Sequence, residues 1–240
     1  MPRLDVLVTR SGLAESRERA QALILAGKVK VAGETVRRPD RSVNDDAPIA
    51  VDVEPGYASR GALKLAPALE RFGVDPTGRV CADIGASTGG FTDVLLRRGA
   101  AKVYAIDVGR GLLHWRLRQD PRVVVIERVN ARDLEVLPEP VSLVVIDVSF
   151  ISLEKILPAV RRAARDAEVV ALFKPQFEVG RAEVGKGGIV RNASAVDASL
   201  GRFRDWCAAN GFTIADQAAS EVTGAEGNQE FFLHLRPVTG

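Results

Sequence analysis

Four charged side chains in this 240-residue chain stand where chemistry can be done: Lys64, Asp147, Lys174 and Glu230. Asp147 follows the apolar run Leu143 to Ile146, and Lys174 follows Val169 to Phe173. Each is therefore tethered to the end of a buried strand rather than scattered on a solvated face. Lys64 lies in an apolar-periodic segment, Arg60 to Phe72, and Glu230 opens a last strand-like run. A lysine is a poor base at its free pKa, but burial and a second nearby cation lower it, and carboxylates can orient both amines. Taken singly, Lys64 reads as a surface lysine and Asp147 as a cap for the next helix.

The chain between Arg79 and Ala100, RVCADIGASTGGFTDVLLRRGA, would set these groups in place. A strand, Val80 to Ile84, runs into a turn at Gly85, Gly89 and Gly90, and a helix follows in which Phe91, Val94 and Leu95 share a side. Strand, glycine turn and helix present backbone N–H groups to a ligand. Three ligand readings compete. A nicotinamide fingerprint fails, because Ser87 stands where the second glycine belongs. Gly85 to Gly89 matches G-x-S-x-G, and Asp147 and His234 follow in the order of a hydrolase triad, although no oxyanion loop precedes this strand. The third reading is an S-adenosylmethionine cradle. Asp83 lies two residues before the first glycine, and Asp107, closing the next strand, lies about where a ribose-binding acid falls, roughly 20 residues on. A plain structural turn remains open as well.

Composition bounds the rest. With 46% hydrophobic and 27% charged residues the chain is of ordinary globular type, large enough for one large domain and a small one. No apolar run approaches the roughly 20 residues of a membrane span, and no apolar leader opens the chain, so a cytoplasmic protein is expected. Cys81 and Cys207 are read as buried thiols, and two cysteines with two histidines at no ligand spacing give no metal site. The net charge is only +2, yet residues 1–44 carry nine Lys or Arg against five acids, leaving the remainder at −2. A basic small module on a slightly acidic large one points to a polyanionic partner.

The order of elements follows from periodicity. Leu4 to Val8 starts a short helix, Ser16 caps a second, Gly27 ends it, and short strands are expected at 28–31, 35–36 and 49–53. A linker is placed at 54–59. The helix from Arg60 to Phe72 takes its apolar face from Leu63, Ala66 and Leu69 and is interrupted by Pro67. Strands are then expected at 80–84, 102–106, 123–126, 141–148, 168–173, 213–218 and 230–235, with helices at 92–98, 112–118, 151–165 and 195–210. This alternation makes an α/β domain, a doubly wound, mostly parallel sheet with a final hairpin-like pair. The carboxyl ends of its strands carry Gly85 to Gly90, Asp107, Asn130 to Asp133, Asp147 and Lys174. An antiparallel last strand would bring Glu230 to the same edge.

Two resemblances sharpen this reading. Residues RLDVLVTRSGLAESRERAQALILAGKVKVAGETVRRPDRSV resemble the alpha-L RNA-binding motif, which implies a small α+β domain over 1–53. Carried over, Arg3, Arg17, Arg19, Lys28, Lys30, Arg37 and Arg38 would meet RNA phosphates, joined by Arg60 and Lys186 from the larger domain. The set Lys64, Asp147, Lys174 and Glu230 is similar to the K-D-K-E set of FtsJ-type ribose 2′-O-methyltransferases. With SRGALKL, DIGASTGGFTDVLL, IDVGRG, NARDL, IDVSFISL, LFKPQFEVG, GKGGIV and GNQEFFLHL, the match narrows to the TlyA, or hemolysin-like, ribosomal RNA methyltransferases.

That resemblance implies a Rossmann-like class I methyltransferase domain over 60–240, with a mostly parallel seven-stranded sheet. S-adenosylmethionine would be held by Asp83, Gly85, Ala86, Ser87, Gly89, Gly90, Phe91, Asp107, Val108, Asn130, Ala131 and Asp147. The partner would be ribosomal RNA or a ribosomal subunit, and the target a ribose hydroxyl, with cytidine implied by the family; a monomer is favoured. Lys174 would activate the 2′-OH, Lys64 would add positive charge, Asp147 would orient Lys174 and favour the sulfonium, and Glu230 would hold Lys64 or the ribose. The loop Gly185 to Gly188 would be mobile and close over substrate. The competing classes are a serine hydrolase using Ser87 and a non-catalytic RNA-binding or hemolysin-like protein.

Overall fold

A computed structural model describes residues 1–14, 16–51, 56–224 and 226–238. The expected strand residues 52–53 and linker residues 54–55 lie outside the described residues. The chain forms two compact units, Met1–Gly56 and Tyr57–Gly240.

In the first unit, helices α1 (Leu4–Arg10) and α2 (Arg17–Leu25) pack on a three-stranded antiparallel sheet of β1 (Val29–Val31), β2 (Glu34–Val36) and β3 (Ile49–Val51), in the order β2-β1-β3. Ser16 caps α2, its Oγ accepting from the Arg19 amide at 3.1 Å. Gly27 leaves the helix with φ +73°, a conformation that costs glycine nothing. Leu4, Leu7, Val8, Ile24 and Val29 fill the small core.

The second unit begins with α3 (Ala62–Phe72) and alternates β4 (Val80–Ile84), α4 (Gly90–Arg97), β5 (Lys102–Asp107), α5 (Trp115–Arg118) and β6 (Val123–Glu127). It continues through β7 (Leu143–Ile146), α6 (Leu157–Ala163), β8 (Glu168–Phe173), α7 (Pro175–Glu178), α8 (Ala193–Ala209), β9 (Phe212–Ala219) and β10 (Phe231–Pro237). The seven strands run in the order β6-β5-β4-β7-β8-β10-β9, all parallel except β10, which is antiparallel to both its neighbours. Successive residues of a strand face opposite sides, so each strand feeds two apolar layers. Val144 and Ile146 join Leu157, Val160 and Phe203 on one side, while Leu143 and Val145 join Leu65, Leu69 and Leu95 on the other. Cys81 and Cys207 are buried free thiols, and burial pushes both up to about 12.

Several expected elements differ. In α3 the buried face is Ala62, Leu65, Ala68 and Leu69, whereas Leu63 is exposed; the helix also runs through Pro67 rather than breaking there. Pro67 removes one ladder bond and crowds the carbonyl one turn earlier, a cost offset in a helix packed against the core through Ala62, Leu65, Ala68 and Leu69. The 112–118 helix shrinks to α5, because His114 is not helical (ψ 135°) and caps the helix, its ring accepting from the Arg116 amide. The 141–148 strand ends at Ile146, where the chain leaves the ladder and Asp147 approaches the glycine turn. The 151–165 helix is split into a 3-10 turn, Leu153–Lys155, and α6.

Candidate active site

The site forms along the carboxyl rim of the parallel strands. At its centre the turn after β4 takes three left-handed residues, Gly85 (φ +84°), Ser87 (φ +48°) and Gly89 (φ +96°). Gly85 is obligatory for space as well as torsion, since a Cβ there would lie 2.3 Å from the Asp147 carbonyl oxygen. Asp107, closing β5, braces the turn: its Oδ2 accepts from the Ser87 amide at 2.8 Å and its Oδ1 from the Gly109 amide at 2.7 Å. Asn130 Oδ1 accepts from the Arg132 amide and fixes the next loop.

Two cavities meet at this turn and share Gly85, Ser87 and Asp147 in their walls. One, of 690 Å³, is lined by Arg60, Lys64, Ala86, Gly90 and Phe91, with residues 222–224 and Gly227. The other, of 810 Å³, is lined by Asp107, Val108, Asn130 and Ala131, with Phe150 and Phe177.

The four charged residues picked from the sequence gather here as two ion pairs. Lys64 Nζ is 2.6 Å from Glu230 Oε2, and both side chains are largely buried. The reversed strand makes this possible: Phe231 sits opposite Phe173, so Glu230 enters the rim beside the end of β8. Lys174 Nζ is 2.6 Å from Asp147 Oδ1 in an approach too bent for a hydrogen bond, a charge contact rather than a directed one. Lys174 donates to Ser149 Oγ at 3.1 Å. Lys64 and Asp147 both face the 690 Å³ cavity, which joins the two pairs into one site.

Asp83, the other acid of the motif, is fully buried beneath the turn. Its Oδ2 accepts from Thr92 Oγ1 at 2.6 Å, and its Oδ1 meets no donor. Burial pushes this carboxyl up to about 7, aided by the Asp147 and Asp107 charges and opposed by the Thr92 bond. Sequence reasoning gave no role to Ser149, Thr92 or Glu178. Glu178 accepts from Ser152 Oγ at 2.7 Å and from the Leu153 amide at 2.9 Å, and burial pushes it up to about 7.

A serine-hydrolase triad is not assembled. His234 Nε2 lies 2.7 Å from Glu168 Oε1, at the start of β8, and its ring stacks on Phe72, while Asp147 is engaged with Lys174. At the end of the Gly185–Gly188 loop, Asn228 Nδ2 donates to the Gly188 carbonyl and Asn228 Oδ1 accepts from the Val190 amide. Of the other basic residues proposed to meet RNA, Arg60 lines the smaller cavity and Lys186 is exposed. In the first unit, Arg19 and Lys28 are exposed, and Lys30 is half-buried. Arg3 and Arg17 are bound to the buried Asp5, Arg38 to Asp40, and Arg37 lies over Gly27.

Residues 57–237 match the FtsJ-like methyltransferase family, and residues 2–48 match the S4 domain. The chain is 49% identical to the 16S/23S rRNA (cytidine-2′-O)-methyltransferase TlyA of Mycobacterium tuberculosis, over 99% of this chain and 90% of that protein. The chain belongs to the TlyA family of FtsJ-like methyltransferases. Hemolysin A of Brachyspira hyodysenteriae is 43% identical, over 97% of this chain and 99% of that one. A solved structure described as a hemolysin from Streptococcus thermophilus superposes with a TM-score of 0.75 at 42% identity, covering 99% of this chain and 89% of that chain. Among the described residues of this TlyA-family chain, no helix is long and apolar enough to cross a membrane.

The residues at the rim suit the methyl donor of such enzymes. The unpartnered Asp83 Oδ1 and Gln176 Oε1 are buried acceptors beside a turn whose Gly85 leaves no room for a side chain. They fit a ligand that brings donors, such as the ammonium and hydroxyls of S-adenosylmethionine.

Proposed function

We infer that the chain transfers the methyl group of S-adenosylmethionine to a ribose 2′-hydroxyl of ribosomal RNA, with cytidine as the target nucleoside. The observation that carries this is the meeting of Lys64–Glu230 and Lys174–Asp147 at the turn that forms the cofactor cradle. The relative's printed activity, cytidine 2′-O methylation of 16S and 23S rRNA, supplies the substrate class. Ribosomal RNA as the substrate supports a cytoplasmic location.

Asp107, Val108, Asn130 and Ala131 would hold the nucleoside end of the cofactor, and Gly85 to Ser87 and Gly90 its amino-acid end, with Asp83 buried beneath them. When bound, S-adenosylmethionine supplies a methyl group on a sulfonium that is already a good leaving group. What remains for the protein is alignment, worth about 7–11 kcal/mol, and removal of a proton from a weakly acidic alcohol. Lys174 takes the proton from the 2′-oxygen. Ser149 and Asp147 hold its Nζ at the rim. Lys64, fixed by Glu230, places a positive charge beside the oxygen as it becomes negative. The exposed Arg19 and Lys28 of the S4 unit, with Arg60 and Lys186, provide cations for RNA phosphates.

Methyl transfer to ribosomal RNA by Lys174→Ala tests the assignment. The expected result is a fall in kcat of about 10²–10⁴ with calorimetric S-adenosylmethionine binding retained. Normal turnover by this variant would remove Lys174 from the chemistry.

A further inference from the structure

We propose that Glu178 is a positioning residue for Lys174, closing a ring of contacts that sets where the Lys174 amine points. The inference rests on the reading of Lys174 as the proton acceptor. Lys174 immediately precedes α7 and Glu178 ends it, so one short helix carries both. Across the cleft, the segment that follows β7 carries Asp147, Ser149 and Ser152. The two segments are joined at both ends. At one end Lys174 meets Asp147 Oδ1 at 2.6 Å and Ser149 Oγ at 3.1 Å. At the other, Glu178 Oε2 accepts from Ser152 Oγ at 2.7 Å and Oε1 from the Leu153 amide at 2.9 Å. Between the two ends, the rings of Phe150 and Phe177 touch, with centroids 5.2 Å apart.

Two observations argue that this clasp does more than cap a helix. Phe150 holds φ +66°, a left-handed conformation that costs a residue with a Cβ about 1–2 kcal/mol, and it lies next to Ser149. Glu178 anchors the far end of the segment that carries this residue. Second, Ser152 Oγ already accepts from the Glu154 amide at 3.2 Å, so the 3-10 turn at Leu153–Lys155 has a cap without any carboxylate. A mostly buried acid brought from 26 residues away is a costly second cap but an effective spacer between two walls of a site.

The experiment uses the full chain with saturating S-adenosylmethionine and ribosomal RNA, reading kcat and the KM for RNA separately. Glu178→Ala is expected to lower kcat about 10–100-fold with KM for RNA little changed, the signature of a misplaced reacting group. Glu178→Gln, whose amide oxygen can still accept from the Leu153 amide, is expected to recover most of that loss. Ser149→Ala combined with Glu178→Ala should cost less than the product of the two single losses, because both act on the same amine. A kcat within twofold of wild type for Glu178→Ala, or strictly multiplicative losses in the double variant, overturns the proposal. Should Glu178→Ala fail to fold, Ser152→Ala removes one contact of the clasp: a kcat reduced severalfold at unchanged Tm supports the proposal, and an unchanged kcat overturns it. If Lys174→Ala itself keeps full turnover, the base assignment falls and takes this inference with it. An enzyme that needs Lys174 but ignores Glu178 refutes the inference alone.

Discussion

Asp5 and Asp83 are both buried to zero exposure, one in each unit, and they are partnered in opposite ways. Asp5 receives Arg3 Nε and Nη2 at 3.1 Å, Arg17 Nε at 3.0 Å, Gln21 Nε2 at 2.7 Å and the Val6 amide at 2.9 Å. Burial alone would raise its pKa, but the bonds from Arg3, Gln21 and Arg17 win and hold the carboxyl well below the usual range. Asp83 has one side-chain donor, Thr92, and an empty Oδ1. Burial wins there. A saturated buried acid holds its own module together; an unsaturated one marks where a ligand has still to bring donors.

The largest test of this contrast is Asp5→Ala. It removes the hub of the helix pair, and loss of one partner from a buried ionic network costs about 3–5 kcal/mol, the half-exposed arginines pulling the value to the lower end. Amide hydrogen exchange within residues 1–51 would register the drop. A change below about 1 kcal/mol would break the comparison.

The pH dependence of stability should differ in sign between the units. Asp5 titrates lower when folded, so its contribution is present above the unfolded pKa, about 3.9, and is lost as pH falls below it. Asp83, with a folded value of about 7, does the reverse: its contribution is fully present below the unfolded pKa and is lost as pH rises from about 4 to 7. Glu178 adds in the same direction as Asp83. Exchange protection measured unit by unit between pH 4 and 7 should decline in the larger unit, and Asp83→Asn should flatten that decline. Equal slopes in wild type and variant would count against the assigned charge states.

The smallest expected effect is on binding. Asp83→Asn should leave the unfolding midpoint unchanged or slightly raised while weakening S-adenosylmethionine about tenfold, or 1.4 kcal/mol, by calorimetry. A large loss of stability with intact affinity would assign Asp83 the role of Asp5.

Much of this was legible from one-dimensional pattern. The bounds of β4 and β8 coincide with the apolar runs Val80 to Ile84 and Glu168 to Phe173, and strand ends named Lys174 and Asp147 because polar residues there must face the rim. Glu230 followed from supposing β10 antiparallel. Contacts set by irregular backbone were not legible. Ser149 and Glu178 reach their partners through a segment bent at Phe150, where a phenylalanine gives no sign of a left-handed turn. On α3 Leu69 is buried as expected but Leu63 is exposed and Leu65 takes the core position, since alanines and leucines nearly surround that helix and only the packing partners decide which side is covered. Counting charges found the basic module but could not show that Arg3 and Arg17 are spoken for by an acid in the core.

The inverted direction of β10 has an evolutionary corollary. Because that strand enters the sheet at the carboxyl rim of the parallel strands, the connection leading into it lends Val222, Thr223, Gly224 and Gly227 to the wall of the 690 Å³ cavity, whereas in a parallel strand the incoming connection would lie at the far end. Substitutions at Val222 and Thr223 can thus reshape the wall of this cavity while the ladder behind them keeps its alignment. Slippage of the ladder by a single residue would turn Glu230 to the opposite side of the sheet and strand Lys64 without its counterion, so the register is closed to drift, and so is Gly224 in the turn, where a Cβ would lie 2.7 Å from the Glu230 carboxylate.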